Sequence, residues 1–423
     1  MKKNGSRVMS AISLLGGIGL LSTCATAPRA LVRFTVEAEA SFADLPGKDP
    51  RDPSGLPSGL AAVLPGTKAL IIGEQHYQVE HQEYWGGAAG ALADSGFLLL
   101  AQEGMSSLGW IARAYSTGDW PAGRPLPQPI SGFEREFLNR IRLANRDRIA
   151  RGSPPLAYDY FDMNHWKDCL FISVAEMVGC ARDEGNPEAA KALADLWEKP
   201  EAAYRASPDS KNYEAAVNEL AALLETEGDA RVAALGPRWR ERLREAVRLE
   251  IESIPLRASF KDDAREAFIK KRIAELLSLA PGGRIAINCG MWHAQKRKVK
   301  GSNSEWLGTW LARGLCPGIG PDEVFSIACG SLRGEEKASF YSRERKAFDL
   351  SARAAPNDLV RALGEAAGER IGFLQLSSFS ARKAVLGATF GPERWILRAP
   401  YPFDAVLCYP RMTIAASTEA FER

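Results

Sequence analysis

Four short segments of the chain bring carboxylates, imidazoles and amides to close spacing. They are Glu74-Gln75-His76, Gln102-Glu103-Gly104, Asp162-Met163-Asn164-His165 and Asn288-Cys289-Gly290-Met291-Trp292-His293. The chain has four histidines, and three of them, His76, His165 and His293, fall in these segments. Glu74 and His76 are two residues apart, so in an extended chain their side chains share a face. A carboxylate beside an imidazole orients its tautomer and raises its basicity, the pairing that general acid–base chemistry needs. The fourth histidine, His81, lies five residues past His76. That is not the spacing of a metal-binding HExxH helix, and His81 reads as structural.

Each polar segment follows a short, largely apolar run. Ala69 to Ile72, Phe97 to Ala101, Leu156 to Phe161 and Arg284 to Ile287 read as four buried strands. Val324 to Ile327 is a fifth, with further strands expected at Ile371 to Leu376 and Ala405 to Cys408. Glu80 to Asp94 reads as a helix ended near Gly96, an order that fits a parallel strand pair with a right-handed crossover. Ligands of open parallel sheets bind at the carboxyl ends of the strands. The four polar segments are therefore expected in one cleft. Between the third and fourth strands lies a long helical stretch, about 166 to 280, where Trp239, Leu243, Ala246, Val247, Ile251 and Ile254 recur at helical spacing. Its charged face reads as solvated surface, and Pro121 to Pro129 as a surface loop or lid at its base. The fold class expected is α/β, a central mostly parallel sheet with flanking helices and a long helical insertion.

The N-terminus carries a different message. Lys2, Lys3 and Arg7 precede an apolar run from Val8 to Leu21, too short to span a bilayer and typical of a signal peptide. The run ends in Leu21-Ser22-Thr23-Cys24, which resembles a bacterial lipobox. Residues 1–23 read as the signal peptide and Cys24 as the acylated residue. Ala25, where an Asp would signal inner-membrane retention, points to the outer membrane or cell surface. Residues 24–66 combine a strand-like run, Leu31 to Val36, with Pro46, Pro50, Pro53, Pro57 and Pro65, and read as a tether or wrapping arm before a domain at 67–423. Removing residues 1–23 takes away three cations and no acid, turning +2 into −1. No basic face for nucleic acid is indicated, and the expected membrane contact is the lipid itself. The seven cysteines, at 24, 169, 180, 289, 316, 329 and 408, show no CxxC spacing. Buried free thiols are the expectation; Cys169 and Cys180 on one continuous helix would lie about 16 Å apart, too far to bridge.

Leu70 through His76, followed by Phe97 through Glu103, resembles the opening of the ChaN-like, Tiki and erythromycin-esterase superfamily. Its members begin with a strand leading into a Gly-Glu-x-His or Gly-Glu-x-x-His turn, then a helix and a second strand ending in Glu. Glu74-Gln75-His76 has the shorter, ChaN-like spacing. Arg265 to Ile269 resembles the family's Arg-containing helix, and Asn288 to Ala294 is similar to its late Gly-x-x-His-Ala element. Tyr160-Phe161-Asp162 matches a strand-terminal Asp between them. The blocks lie between residues 67 and 296, and nothing beyond about residue 300 is recognised. The resemblance implies an α/β fold with one polar cleft; the relatives include antibiotic esterases, metal-dependent proteases and haem-binding lipoproteins.

Two functional classes follow, with a structural lipoprotein carrying a decayed site as a third. The first is a hydrolase acting on a small molecule or peptide. His76 serves as general base, Glu74 orients it, Arg265 stabilises developing negative charge, and His293 is a second acid/base or electrophile. Glu103 polarises water or holds a metal. Asp162 and His165 are additional candidates. Glu74, His76, Glu103 and His293 form a ligand set for a divalent ion, and a metal-free site is the alternative. The second class is a lipid-anchored carrier of haem or an iron complex, with His76 and Tyr77, or Tyr84, as axial ligands.

Overall fold

The computed structural model describes residues 31–414 apart from 48, 77, 129, 131–133, 209, 227, 338–343, 354, 356, 379–380, 382–387, 391–393 and 398–400. The signal segment, Cys24 and Tyr77 lie outside the described residues. The strands are β1 (Ser41–Ala43), β2 (Ala69–Glu74), β3 (Leu99–Met105), β4 (Ala157–Asp162), β5 (Ile285–Gly290), β6 (Val324–Ser331), β7 (Arg333–Lys337), β8 (Arg345–Asp349), β9 (Ile371–Gln375) and β10 (Ala405–Tyr409). Eight of them form one sheet in the order β1-β9-β10-β6-β2-β5-β3-β4. From β10 to β4 every neighbouring pair is parallel, while β9 runs antiparallel to both its neighbours. β7 and β8 form a separate antiparallel pair.

The apolar runs become strands because both faces of the sheet are covered. β2 and β5 are buried at every residue. Leu70 and Ile72 belong to one core, Ala69 and Ile71 to the other. Successive strand residues point to opposite faces, so a continuous apolar run suits a strand with a core on each side.

The insertion comprises α3 (Cys169–Asp183), α4 (Pro187–Ala206), α5 (Lys211–Leu224), a short helix Ala230–Ala234, α6 (Gly236–Ala258) and α7 (Asp262–Leu279). They follow α1 (Val79–Gly87) and α2 (Arg135–Ala150). Trp239, Leu243, Ala246 and Val247 of α6 are buried in the first core, with Ile251 and Ile254 half-buried against it. Trp239 meets Trp110 edge-on at 6.3 Å, and Arg242 covers both rings at 5.0 Å. The proline-rich loop is pinned to α3 by Arg124, which pairs with Glu176 at 2.6 Å and Asp183 at 2.8 Å. The six described cysteines are free and buried, Cys169 and Cys180 both on α3.

Three local readings are corrected, and two features are new. Residues 31–39 are helical, not a strand; Val32 and Val36, four apart, enter the second core while Arg33 pairs with Glu37 outside at 2.7 Å. The helix expected over Glu80 to Asp94 is two, α1 and Ala89–Asp94, with a turn at Ala88. Gly86 at the end of α1 lets α2 approach, because a Cβ there would lie 2.9 Å from the Phe137 ring. β2 and β3 are parallel but not neighbours, since β5 pairs with both. Local sequence does not specify which distant strand fills that slot. Finally, β1 and the β7–β8 hairpin have no counterpart in the sequence reading. Ser41, in the proline-rich arm, pairs with Phe373.

Candidate active site

Four adjacent strands, β2, β5, β3 and β4, deliver the polar segments to the same end of the sheet. Glu74 closes β2, Glu103 lies near the end of β3, Asp162 closes β4, and Gly290 closes β5 just before His293. Helix α7 leads into β5, and its first turns place Arg265 and Glu266 across these strand ends. The structure thus brings Glu74, His76, Glu103, Asp162, His165, Arg265 and His293 into one contiguous network.

Glu74 is buried, and His76 approaches it with Nδ1 3.2 Å from Oε1. The His76 side chain is 31% exposed. Its Nε2 faces β5 so closely that a Cβ on Gly290 would lie only 2.8 Å away. Glycine is therefore required at 290 for the ring to occupy this position. The Gly290 N–H donates to Glu103 Oε2 at 2.7 Å, which holds that carboxylate beside the ring.

Glu103 also receives Arg265 Nη2 at 2.5 Å. The same guanidinium grips Asp162, Nη2 to Oδ2 at 2.5 Å and Nε to Oδ1 at 3.1 Å. Asp162 Oδ2 in turn lies 2.7 Å from His165 Nε2. Phe260 covers this end, its ring 6.0 Å from the Arg265 guanidinium and 6.3 Å from the His165 ring. His293 Nδ1 is hydrogen bonded to Glu266, and its Nε2 lies 3.4 Å from Glu103 Oε1. Trp306 meets the His293 ring edge-on at 5.2 Å.

The electrostatics follow from these pairings. Burial alone would raise the Glu103 carboxyl, but the charges of His293, His76 and Arg265 hold it well below its ordinary value. Asp162 is lowered by the same contest, with Arg265 and His165 against burial. Burial alone would also raise Glu74; the His76 hydrogen bond and the imidazoles of His81 and His76 beside it hold it down. Burial would lower His76, and Glu103 and Glu74 outweigh it, so the imidazole is raised. Burial is likewise overcome at His293, where Glu103 and Glu266 push the imidazolium up to about 10. The strand ends thus gather lowered carboxylates, the Arg265 guanidinium, a raised His293 and the partly exposed imidazole of His76.

Several members were not singled out in the sequence. Glu266 stands next to Arg265, yet only the path of α7 across the strand ends aims both inward. Gln102 and Asn288 lie in the polar segments and prove to be ligands of Glu74: Gln102 Nε2 donates to Oε1 at 3.5 Å and Asn288 Nδ2 to Oε2 at 3.2 Å. His81 and Tyr409 sit behind them. Tyr84 lies in the core, its hydroxyl donating to the Gly55 carbonyl at 3.3 Å.

As arranged, Glu74, His76, Glu103 and His293 do not form a cage for a metal ion. Among the described residues no group of three or more His, Cys, Asp or Glu side chains is disposed to hold one. The oxygens of Glu74 are occupied by amide and imidazole donors, and Glu103 is engaged by Arg265 and the Gly290 amide.

No protein-family model and no curated protein matches the sequence. The solved structures do. A protein from Bacillus cereus superposes with a TM-score of 0.58 at 13% identity, over 92% of this chain and 99% of that one. A succinoglycan biosynthesis protein gives 0.56 at 13% identity, over 90% and 97%. A mutant of erythromycin esterase EreC in its open conformation gives 0.51 at 13% identity, over 85% and 94%. The likeness to the erythromycin-esterase superfamily read in the sequence therefore extends to the fold. The chain has the α/β fold of an erythromycin esterase across most of its length.

Proposed function

We propose that this protein is an exported, lipid-anchored hydrolase that works by metal-free acid–base catalysis. The observation that carries the reading is His76: its Nδ1 is engaged by a buried, ionised Glu74 while the ring remains partly exposed. In this reading the neutral ring accepts a proton from an attacking water through Nε2. Glu74 keeps the ring in the tautomer that leaves Nε2 able to accept. His293 enters as an imidazolium. Its Nε2–H lies 3.4 Å from Glu103, long enough that a substrate carbonyl oxygen competes for it. That oxygen gains negative charge as water adds, and a cationic donor stabilises it there. Arg265 is engaged by Glu103 and Asp162, so in this account it holds the carboxylates of the cleft in place rather than contacting the substrate. The kinship of fold with an erythromycin esterase supports hydrolysis of an ester or lactone as the first activity to assay.

The test is turnover of p-nitrophenyl acetate, a macrocyclic lactone and a short peptide by the mature protein, before and after dialysis against a chelator. Activity that survives chelation and is lost in His76→Ala supports the reading. Activity restored only by an added divalent ion sinks its metal-free part. No turnover, together with a Soret band that disappears in His76→Ala, would replace it with the iron-porphyrin carrier.

A further inference from the structure

Behind Glu74 lies a fully buried histidine with a hydrogen-bond partner at each ring nitrogen. His81 lies on α1, and its Nε2 is 3.2 Å from Glu74 Oε2 and 2.9 Å from Asn288 Oδ1. Its Nδ1 is 2.9 Å from the hydroxyl of Tyr409, the last residue of β10. The Tyr409 ring lies 5.7 Å from the His81 ring and Trp85 lies 6.4 Å from it, so the imidazole is walled by aromatics. We infer that His81 is a positioning residue of the site: a neutral Nε2–H tautomer, held by the Tyr409 hydroxyl, that fixes the direction in which Glu74 presents its carboxylate to His76.

The tautomer follows from the partners. Asn288 Nδ2 donates to Glu74 Oε2 and to Gln102 Oε1, so its Oδ1 faces His81, and Nε2 carries the proton donated to that oxygen at 2.9 Å. A turned amide would set its oxygen against the Glu74 and Gln102 oxygens, so these two neighbours fix its orientation. Nδ1 is then an acceptor, and the Tyr409 hydroxyl donates to it. Neutrality suits a ring with no solvent exposure that lies between the Tyr409 and Trp85 rings. The direction of the histidine's shift agrees, since burial lowers His81 despite the Glu74 charge. The Tyr409 phenol is held protonated by burial.

The consequence reaches the cleft through Glu74. Its three hydrogen-bond donors are His76 Nδ1, Gln102 Nε2 and Asn288 Nδ2, and His81 Nε2 lies against Oε2 at 3.2 Å while donating to the Asn288 amide oxygen. Three hydrogen bonds and the His81 ring against Oε2 leave the carboxylate little freedom to turn. Glu74 is thus fixed as an acceptor and is not itself the proton-transferring base. Tyr409 comes from a part of the chain where the sequence showed no motif, and it reaches the network across β6. Outer partners of this kind typically change activity by about 10–100-fold when removed.

This inference rests on the acid–base reading for its kinetic consequence, and on geometry alone for the tautomer. The experiment therefore has two arms on the full mature chain. In the first, ¹⁵N-detected histidine spectra at neutral pH report the tautomers of the wild type, Tyr409→Phe, His81→Phe and His81→Gln. The wild type is expected to show His81 as Nε2–H and His76 as Nδ1–H. His81→Phe is expected to disperse the His76 signal between tautomers, and His81→Gln, whose amide N–H replaces Nε2–H, to restore it. An Nδ1–H or doubly protonated His81 overturns the proposal, as does a His76 tautomer unaltered in His81→Phe. In the second arm, p-nitrophenyl acetate turnover is expected to fall about 10–100-fold in kcat with little change in KM for His81→Phe. His81→Gln should recover most of it. A wild type that turns over nothing counts against the hydrolase reading while the spectra still decide the tautomer. Should His81→Phe fail to fold, Tyr409→Phe removes one oxygen and decides the same point.

Discussion

At the residue scale the site is a contest between burial and pairing, and each outcome has a testable sign. His76→Ala should lower kcat by ~10²–10⁴-fold, the usual contribution of a general base. Its stability should change by about 0.5 kcal/mol or less, since the side chain is partly open and fills no core; turnover and urea unfolding measure the two effects separately. The pH profile is sharper. A base raised by Glu103 and Glu74 against burial is free only above the ordinary histidine range, so the rising limb of kcat/KM should lie above about 6.5. Glu74→Gln removes one of the groups that raise His76, and the limb should move to lower pH. A falling limb is expected from His293, whose imidazolium is pushed up to about 10; Glu266→Gln should bring that limb down. A rising limb unmoved in Glu74→Gln would count against the pairing. Gly290→Ala is a steric counterpart. Its Cβ would meet His76 Nε2 at 2.8 Å, so the ring must swing away, and kcat should fall about 10–100-fold while the fold persists.

At the scale of elements, strand ends and one helix hold the charges, and stability depends on that agreement. Arg265 joins α7 to β3 and β4 through Glu103 and Asp162. Arg265→Met should cost about 3–5 kcal/mol, because two buried carboxylates lose their cation. Linkage gives the acid behaviour. Both carboxyls are lowered in the folded state, so their contribution is full above the unfolded value of about 4 and is lost as pH falls through the lowered ones. In Arg265→Met those carboxyls rise, and the loss should begin at higher pH in an acid-unfolding titration. β2 offers a control that touches no charge. Ile71 is buried in the second core, and Ile71→Ala should cost about 2–5 kcal/mol with no shift in either pH limb.

At the scale of the whole molecule, one sheet joins the arm at one edge to the insertion side at the other. The arm contributes β1, so a truncation at residue 67 removes an edge strand together with Val32 and Val36 from the second core. Such a truncation should lower the midpoint of thermal unfolding, measured by circular dichroism. Cys24→Ser tests the proposed anchor: mature protein should pass from the membrane fraction to the soluble one and lose the mass of a diacylglycerol. Continued membrane association would leave the lipid without a role.

The sequence by itself determined the strands that matter, because a strand covered on both faces must be apolar along its length and the runs at β2, β3 and β5 say so locally. It also determined that Glu74, His76, Glu103, Asp162 and His293 follow strands, which in a parallel sheet puts them at one end. Tertiary structure alone decided which strands are neighbours. β5 lies between β2 and β3 although about 180 residues separate it in sequence from β3, since hydrogen-bonded pairing carries no local signal of its partner. It likewise decided that Val32 and Val36 share a helical face rather than a strand, their spacing being readable only once the second core exists to receive them. The roles of His81, Glu266 and Tyr409 were beyond local reading for the same reason. Their meaning lies in what they touch, and each touches residues brought to it by a different strand or helix.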